Sequence, residues 1–578
     1  MIAERLSFLY PEIALFVTTC IVMVVGLSKN LGTRKLTSWI AGLGLLVTLF
    51  LSVATTPSST HGACPMTGTV FTDAATPKSG QMLLPDMVPY AKALIALIGL
   101  MLLPLMSGTV DRLEEAAVSS GKRSYDALRM NRAEFYAFFL FSLTGLMLCA
   151  SADDLIWLFL ALELTSLPTY IMVAISTSRN QSREAGVKYF FLGAMGAAIF
   201  LFGFALIFGG TASTNLNQIA MHFHEHGINM IALAGILLSL IGFGFKIAAV
   251  PMHFYTPDVY QGAASQVSAF LAFVPKAAGF IAILLLCATV GWSYQLPSEN
   301  VAATFGDTIQ QNAWGTHLPN AVRLMLWVMA ALTMTVGNVL AILQHSPKRM
   351  LAYSSIAHSG YMLVGVIAGP GDGSFAQNGV SAVLFYLASY GVMNLGAFAA
   401  LASLERASKT KDGSGGLSEP REIDSMDDLR GLCSSHPVAG WTLVLCCLSL
   451  LGLPPLLGFF GKLPLFTSAI NAGELPLVIV LGINSAIAAF YYLRLAFLPL
   501  TETPDTTDGV PTATPFQGRA FAGILSAAGV VILAIFAGGL MDRTTQAGRV
   551  SKPTDHAEQK EVTREQATET APLLTAKP

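Results

Sequence analysis

Six titratable side chains lie within or beside long apolar stretches of this 578-residue chain. They are Glu163, Lys188, Lys246, Lys276, His358 and Lys462. An ionisable group is costly inside a membrane-spanning helix and normally faces the bundle interior or a water-filled path. Burial makes a lysine release its proton more easily, and a nearby carboxylate opposes this effect. These residues therefore predict proton transfer by changes of charge rather than bond-making chemistry.

The local sequence around four of these residues suggests how they are positioned. Glu163, in WLFLALELTSLPTY, lies near the middle of its stretch without a basic residue on the same predicted helix to pair with, so its partner must come from another helix. Lys246, in IGFGFKIAAVP, is a good candidate for this partner. Apolar residues enclose it, and it lies shortly before Pro251, which interrupts the helix. Lys276, in AFLAFVPKAAGF, and Lys462, in LGLPPLLGFFGKLPLF, also follow prolines within apolar stretches.

Structural alternatives exist for several charged residues. Lys188 lies close to a predicted helix end, from which a lysine snorkels readily to water. His358 also fits a helix-packing hydrogen-bond donor, and a purely structural ion pair is the alternative for the buried acid and its lysine. Lys92 and Arg323 are predicted to be snorkelling anchors. Asp258 is predicted to be an N-cap or loop acceptor because a neighbouring proline and glycine mark a turn.

The elements that hold these side chains are predicted to be transmembrane helices. The chain is 53% hydrophobic and 12% charged, whereas a soluble domain is about 25% charged. A spanning helix needs about 20 apolar residues, and about fourteen such stretches occur. Predicted spans 1 to 14 cover residues 8–27, 36–55, 88–108, 134–151, 154–176, 185–210, 229–250, 264–290, 321–343, 351–369, 379–404, 438–472, 474–500 and 519–541. Since no small-residue cleavage site follows the first stretch, we expect an uncleaved first span.

Several function classes lack their sequence signals. The seven cysteines form no C-x-x-C motif and no Cys/His cluster at metal spacing, which predicts no disulfide framework, zinc site or iron–sulfur cluster. The sequence contains neither a strand followed by G-x-G-x-x-G nor a G-K-[ST] motif, so a redox enzyme in its own right is not expected. The net charge of −2 gives no general attraction to nucleic acid.

Basic residues are concentrated in alternate loops, which predicts the orientation of the spans. One set of loops contains Lys29, Arg34, Lys35, Arg112, Lys122, Arg123, Arg129, Arg132, Arg179, Arg183, Lys348, Arg349, Arg406, Lys409, Lys411, Arg421 and Arg430, whereas the other contains Lys78, terminal segments aside. The basic loops are expected on the cytoplasmic side and both termini outside.

Predicted spans 7 and 12 share two unusual features. Both are interrupted by proline, both carry a buried lysine, and they run in opposite directions. Broken helices of this kind mark the transport path of inverted repeats. We therefore expect an all-α polytopic membrane protein with inverted five-helix repeats formed by spans 4 to 8 and 9 to 13. The expected divisions are residues 1–133 (spans 1 to 3 and a loop), 134–290 (first repeat), 291–500 (second repeat), 501–541 (span 14) and 542–578 (a disordered polar tail).

Four motifs together resemble the antiporter-like subunits of respiratory complex I, the NADH-quinone oxidoreductase. The motifs are FKIAAVPMHFYTPDVYQG, VPKAAGF, QHSPKRMLAYSSIAHSGYMLVG and LPPLLGFFGK. The resemblance implies fourteen helices with broken helices 7 and 12. It also implies that Glu163 and Lys246 form the pair between spans 5 and 7, that Lys188 modulates this pair, that Lys276 is the central relay and that Lys462 faces the exit half-channel.

The resemblance implies a proton-translocating subunit of a translocase without a redox centre of its own. NADH, FMN, iron–sulfur clusters and quinone would be used in other subunits, and the partners would be other membrane-arm subunits and the lipid bilayer. The location would be the bacterial inner membrane. An alternative left open by the sequence is a subunit of a multi-subunit sodium (cation)/proton antiporter, which shares the helix plan and the buried lysines.

Overall fold

The computed structural model describes residues 8–54, 83–122, 124, 126, 130–177, 179–292, 318–371, 373–406, 421–502 and 511–550. Among these residues, eleven helices are long and apolar enough to cross a membrane, and three shorter apolar helices accompany them. With two further helices that follow the breaks of spans 7 and 12, they form Tyr10–Gly26 (span 1), Leu31–Ala54 (span 2), Met87–Leu105 (span 3), Arg132–Ala150 (span 4), Leu155–Ile175 (span 5), Asn180–Thr211 (span 6), Met230–Lys246 with Thr256–Gly262 (span 7), Ser265–Val290 (span 8), Asn320–Ile342 (span 9), Pro347–Ala368 (span 10), Gly379–Ala402 (span 11), Pro437–Leu451 with Leu457–Asn471 (span 12), Leu475–Phe497 (span 13) and Gln517–Ile535 (span 14). Each of the fourteen predicted stretches overlaps one of these spans, and the predicted all-α polytopic fold is confirmed.

The remaining elements are short and connect the spans. The helices are Arg112–Ser119, Leu216–His226, Leu432–Ser435 and Ala537–Ala547, with 3-10 turns at Met426–Leu429 and Leu498–Leu500. Three strands, Leu404–Arg406 (β1), Arg421–Glu422 (β2) and Thr512–Ala513 (β3), form a small antiparallel sheet in the order β2-β1-β3. This sheet joins the connection between spans 11 and 12 to the connection between spans 13 and 14.

Spans 7 and 12 are both broken, as predicted. The first half of span 7 ends at Lys246, and the chain turns through Pro251 before a second helix begins at Thr256. In span 12 the first half ends at Leu451, where Gly452 adopts the left-handed conformation (φ 91°) that commonly terminates a helix. Both breaks leave backbone carbonyl groups without helical donors, and these groups become available to side chains, Ser359 of span 10 at the first break and Lys462 of span 12 itself at the second.

The second half of span 7 corrects one expectation. Thr256–Gly262 is a helix, although the sequence favoured a turn around Asp258. Pro257 occupies its first turn, where a missing N–H costs nothing. Asp258 therefore lies on a helix rather than in a turn. Its carboxylate contacts Arg349 Nη1 at 2.8 Å and Lys188 Nζ at 3.4 Å.

The centre of the bundle is formed by spans 8, 10 and 11. Every residue of spans 8 and 11 is buried, and so are all but two residues of span 10. By contrast, spans 1 and 2 expose large apolar side chains such as Phe16, Trp39 and Phe50, as expected of a surface that faces lipid. Lys276 and His358 therefore lie in the centre of the protein rather than at its edge.

Contacts between connections agree with fourteen crossings. On the face that carries the basic loops, which we call the basic face, Arg34 donates to the Met130 carbonyl and Arg112 pairs with Glu405 at 2.6 Å. On the opposite face, the Leu155 backbone N–H donates to the Thr214 carbonyl at 2.8 Å. Connections that the loop alternation assigns to the same face are therefore in contact with each other. An extra or missing span would place these partners on opposite faces.

The expectation of a disordered tail from residue 542 is wrong for its first residues. Helix Ala537–Ala547 continues past that point, with Thr544 and Ala547 buried. Asn378 Nδ2 donates to the Gly548 carbonyl at 3.2 Å, which joins this segment to the start of span 11. Residues 551–578 of the predicted tail lie outside the described residues.

Candidate functional site

Glu163 and Lys246 form an ion pair between spans 5 and 7. Lys246 Nζ lies 3.0 Å from Glu163 Oε1 and 2.5 Å from Ser166 Oγ. Glu163 and Ser166 are three residues apart, so they share one face of span 5. The Lys246 side chain is 2% exposed and that of Glu163 is 18% exposed. The lysine is therefore enclosed, whereas the carboxylate keeps some access to the protein surface.

Lys276 lies beside the break of span 7 and has neutral partners. Its Nζ donates to the Ser355 carbonyl and, at 3.0 Å, to Ser359 Oγ, both on span 10. Ser359 Oγ in turn donates to the Ile247 carbonyl at 2.6 Å, one of the carbonyls freed where span 7 breaks. Ser359 thus links Lys276 to the residue that follows Lys246.

A narrow cavity adjoins both Lys246 and Lys276. Its other walls include Tyr255, which directly precedes the second helix of span 7, Tyr260 of that helix and Pro275 of span 8. Pro275 lacks a backbone N–H, which leaves the helix carbonyl one turn earlier without its usual donor. The two lysines therefore border one space even though they lie on different helices.

His358 lies between two tyrosine hydroxyls. Its Nδ1 is 2.5 Å from Tyr386 OH on span 11, and its Nε2 is 2.5 Å from Tyr492 OH on span 13. Tyr492 OH also hydrogen bonds to Ser354 Oγ, one turn before His358 on span 10. A histidine with hydroxyls on both ring nitrogens is able to accept a proton at one nitrogen and donate one from the other.

Lys462 lies in the second half of span 12 and bonds back to the first half. Its Nζ donates to the Leu451 carbonyl at 2.8 Å and to Ser485 Oγ at 3.2 Å, and it lies 5.2 Å from the centre of the Tyr361 ring. The residue is 5% exposed. Tyr361 and His358 also contact each other, with ring centres 5.4 Å apart, so an aromatic ring separates the histidine from this lysine.

Lys188 is not in contact with the other candidate residues. Its Nζ lies 2.8 Å from Glu184 and 3.4 Å from Asp258, and its side chain is 45% exposed. Asp258 also pairs with Arg349, so Lys188 belongs to a group of charges at the basic face that joins spans 6, 7 and 10. Any influence of Lys188 on the Glu163 and Lys246 pair therefore acts through Asp258 or through space.

Lys92 is not the snorkelling anchor that its position suggested. Its side chain is 2% exposed, and its Nζ lies 2.8 Å from Glu12 Oε1. Ser151 Oγ donates to the same oxygen at 3.1 Å. Glu12 is itself an acidic residue at the start of span 1, so a search for charges near apolar stretches would have found it. The pair joins spans 1 and 3, outside the two repeats.

The sequence also did not indicate the tyrosine and asparagine residues that form hydrogen bonds around the buried histidine and lysines. Asn338 Nδ2 donates to Tyr361 OH at 2.9 Å, and Tyr491 OH donates to Asn338 Oδ1 at 3.0 Å. Tyr386 and Tyr390 recur at the spacing of one helix face on span 11, which was the available signal.

Among the described residues, no group of three or more His, Cys, Asp or Glu residues has the arrangement of a metal site.

The arrangement provides a series of proton-binding groups through the centre of the bundle. It runs from Glu163 and Lys246, past the shared cavity, to Lys276, and then along span 10 to His358 and across to Lys462. Serine and tyrosine hydroxyls that donate and accept hydrogen bonds lie between these groups. Such a series is suited to passing protons between sites, and the described part of the chain shows no redox or nucleophilic centre within it.

Comparison with known proteins gives consistent matches. The family described as NADH:quinone oxidoreductase/Mrp antiporter, transmembrane, matches residues 152–304 and 313–488, a range that includes all six candidate residues. NADH-quinone oxidoreductase subunit N 2 of Symbiobacterium thermophilum is 37% identical over 431 residues, covering 72% of this chain and 76% of that protein. Subunit N of Halorhodospira halophila is 32% identical over 530 residues, covering 92% and 95%.

Two solved structures extend the similarity to the fold. A chain of respiratory complex I from Thermus thermophilus is 28% identical with a TM-score of 0.66, covering 92% of this chain and 98% of that chain. A chain of the Mrp complex from Dietzia sp. is 20% identical with a TM-score of 0.70, covering 95% and 97%. At that lower identity the second match concerns the fold alone.

Proposed function

The chain belongs to the NADH:quinone oxidoreductase/Mrp antiporter transmembrane family, and from this membership we propose that it is a subunit-N-type, proton-translocating subunit of an NADH-quinone oxidoreductase. The observation that carries the proposal is the series of buried basic groups, Lys246, Lys276, His358 and Lys462, that crosses both repeats. Relatives named subunit N match up to 92% of the chain, which favours this function over a sodium (cation)/proton antiporter subunit.

In this proposal the Glu163 and Lys246 pair is the switch. While the pair is closed, the carboxylate stabilises the charged form of the lysine. Separation of the two groups, or a change of charge on a neighbouring subunit, destabilises the buried ammonium and drives its proton toward the cavity shared with Lys276. Lys188 modulates the switch from the basic face. Because the groups interact, protonation belongs to the series rather than to any one residue.

Lys276 is the relay between the two repeats, and Lys462 is the exit site. Ser359 holds Lys276 to the break of span 7, while Ser355 holds it to span 10. From there His358 is one helix turn away, and the Tyr361 ring lies between it and Lys462. The chain itself makes and breaks no covalent bond; NADH oxidation and quinone reduction, with FMN and iron–sulfur clusters, are assigned to other subunits of the complex.

The protein is a multi-span membrane protein, and we assign it to the bacterial inner membrane with the basic face in the cytoplasm and both termini outside. Lys and Arg are retained on the cytoplasmic side during insertion, which supports this orientation. Spans 1 and 2 supply an apolar surface for lipid or for a neighbouring membrane subunit.

Cysteine labelling tests this orientation. His345 follows span 9 on the basic face and Ala376 precedes span 11 on the opposite face, and both are exposed. A membrane-impermeant maleimide is expected to label His345→Cys only in inside-out vesicles and Ala376→Cys only in spheroplasts. Labelling of the parent chain, without an introduced cysteine, gives the background from the native cysteines. The reverse pattern would invert the proposed topology.

Substitution of Lys462 tests the exit role. Lys462→Met keeps the apolar stem but cannot bind a proton, whereas Lys462→Glu keeps a proton carrier. We expect the methionine variant to lose most of the pumping contributed by this subunit and the glutamate variant to retain part of it. A lysine that only fills space gives the opposite order, because a new buried carboxylate costs more than a thioether. The measurement is the proton-to-electron ratio in proteoliposomes.

The same preparation separates the two candidate assemblies. Purification through a tag on this chain should bring down NADH dehydrogenase activity if the complex is an NADH-quinone oxidoreductase, and that activity would be absent for a cation/proton antiporter. The matched control for Lys462→Met is Leu463→Met, a substitution by the same residue at the neighbouring position, which is 44% exposed. Full pumping by Lys462→Met would show that this lysine is only a packing residue.

A further inference from the structure

A carboxylate from the connection after span 11 bridges the starts of spans 8 and 10. Glu422 Oε2, at the end of β2, lies 2.6 Å from Lys348 Nζ on span 10. The same oxygen accepts from the Ser265 backbone N–H at 3.1 Å and from Ser265 Oγ at 2.8 Å, at the first residue of span 8. Lys348 Nζ also donates to the Ala263 carbonyl at 3.0 Å. Glu422 therefore ties the first repeat to the second at the basic face.

The pair lies at the boundary between water and the protein interior. The Glu422 side chain is 14% exposed, whereas that of Lys348 is 4% exposed. Sheet pairing fixes the carboxylate there, because Glu422 faces Glu405 of β1 in the antiparallel register. An acid with partial access to water and an enclosed basic partner repeats the arrangement of Glu163 and Lys246.

Helix geometry connects this pair to Lys276. Lys276 lies three turns after Ser265 on span 8, about 16 Å along the axis and on nearly the same face. Ser355, whose carbonyl accepts from Lys276, lies two turns after Lys348, about 10 Å along span 10. The two helices thus share an interface that has Glu422 and Lys348 at its basic-face end and Lys276 at its inner end.

Polar groups and a cavity occupy the distance between the two ends. Ser268, one turn into span 8, donates to the Tyr260 carbonyl at 2.9 Å. Tyr260 also lines the cavity that adjoins Lys246 and Lys276. Serine hydroxyls at Ser265 and Ser268 therefore lead from the carboxylate toward this cavity.

We infer that Glu422 and Lys348 form the cytoplasmic proton-entry site that supplies Lys276. This inference rests on the proposed function. The Glu422 carboxylate takes a proton from cytoplasmic water and becomes a neutral acid, and it releases that proton toward the Ser265 and Ser268 hydroxyls as it pairs again with Lys348. One proton enters and one leaves, and Lys348 keeps its ammonium group throughout.

The charge interaction between Glu422 and Lys348 controls when Glu422 is able to take up a proton. Burial acts to raise the pKa of Glu422, but the Lys348 ammonium and the hydrogen bonds from Lys348 and Ser265 outweigh it, and Arg519 adds to their effect, so the pKa lies below its usual range. With the pair closed, Glu422 is ionised and does not hold a proton. Movement of Lys348 away from Glu422 removes the largest opposing influence and allows the carboxylate to accept one.

The alternative is that Glu422 only caps span 8 and anchors its loop. Glutamine keeps the size and the acceptor oxygen for Ser265 but does not titrate, and Glu422→Gln leaves Lys348 buried without its counter-charge. The double variant Glu422→Gln/Lys348→Met removes both charges together. An anchor predicts that the double variant regains normal pumping, whereas a proton-entry site predicts that it stays impaired.

The test measures the proton-to-electron ratio of the purified complex in proteoliposomes. We expect a reduced ratio for Glu422→Gln and for the double variant, and partial recovery for Glu422→Asp, which restores a titratable group. The matched control is Asp428→Asn/Arg406→Met, which neutralises another ion pair of the same loop, with Oδ1 and Nη2 2.5 Å apart. Its ratio should stay normal.

Lys276→Met is measured in parallel, so that a failure of the proposed entry site can be distinguished from a failure of the proposed function. A normal ratio in the Glu422→Gln/Lys348→Met variant, together with a reduced ratio in Lys276→Met, would overturn the entry site and leave the proposed function standing. A normal ratio in both would overturn the proposed function as well.

Discussion

Replacement of Lys276 by methionine is expected to abolish the proton pumping contributed by this subunit while the complex still assembles. Lys276 joins the two repeats, and its Nζ contacts only neutral groups among its described hydrogen-bond partners, the Ser355 carbonyl and Ser359 Oγ. Methionine fills the same space without a proton-binding atom. Because no buried carboxylate loses its counter-charge, the substitution should have a small effect on stability and a large one on pumping.

Lys276→Arg separates proton exchange from fixed charge. Arginine retains the positive charge and the hydrogen bonds, but it does not release its proton in proteins. We therefore expect Lys276→Arg to pump as poorly as Lys276→Met. Full pumping by the arginine variant would mean that a fixed charge suffices and that Lys276 is not a relay.

The control for Lys276 is another buried lysine outside the repeats. Lys92→Met/Glu12→Gln removes the ion pair between spans 1 and 3 and keeps the side-chain volumes. Its proton-to-electron ratio should match that of the parent chain. NADH oxidation by the detergent-solubilised complex is measured for each variant, so that a loss of pumping is not confused with a loss of electron transfer.

Separate removal of Glu163 or Lys246 is expected to reduce pumping and also to destabilise the subunit. Loss of one partner leaves the other charge buried, which costs about 3–5 kcal/mol where a pair is well enclosed. Glu163→Ala should be the more harmful for stability, since the Lys246 side chain is 2% exposed and that of Glu163 is 18% exposed, so the lysine is the more deeply buried charge to lose its partner. The measurements are the proton-to-electron ratio and thermal unfolding of the purified complex.

A double variant distinguishes the switch from a structural pair. Glu163→Gln/Lys246→Met keeps the packing and removes both charges, so it should recover thermal stability. A structural pair would then also recover pumping, whereas a switch would not. Normal proton-to-electron ratios in both assembled single variants would remove Glu163 and Lys246 from the mechanism.

Sequence reasoning found the elements of the fold because they follow from local composition. A crossing requires about 20 apolar residues, and prolines interrupt a helix wherever they occur. The fourteen spans and the breaks after Lys246 and Leu451 were therefore predictable. The presence of acids and lysines inside these stretches was equally visible, because a charge in an apolar environment needs a reason.

Only the tertiary structure decided which groups meet. Lys246 and Glu163 are 83 residues apart, and His358 and Tyr492 are 134 apart. Their contacts depend on how far each helix is shifted and rotated against its neighbours, which hydropathy does not report. Lys92 illustrates the limit: its position near a helix end is the same for a snorkelling lysine and for one paired with Glu12.

The amino-acid sequence by itself determined that this is a fourteen-span protein with broken spans 7 and 12 and lysines buried within its bundle, since apolar length, proline and charge act through the chain's own neighbours. The tertiary structure alone decided that Ser359 connects Lys276 to the break of span 7, that tyrosine hydroxyls flank His358, and that Glu422 from a distant loop reaches Lys348. Hydroxyl and loop residues carry no distinctive sequence signal, because the same residue types satisfy ordinary helix and turn positions, and only packing brings them to a buried charge.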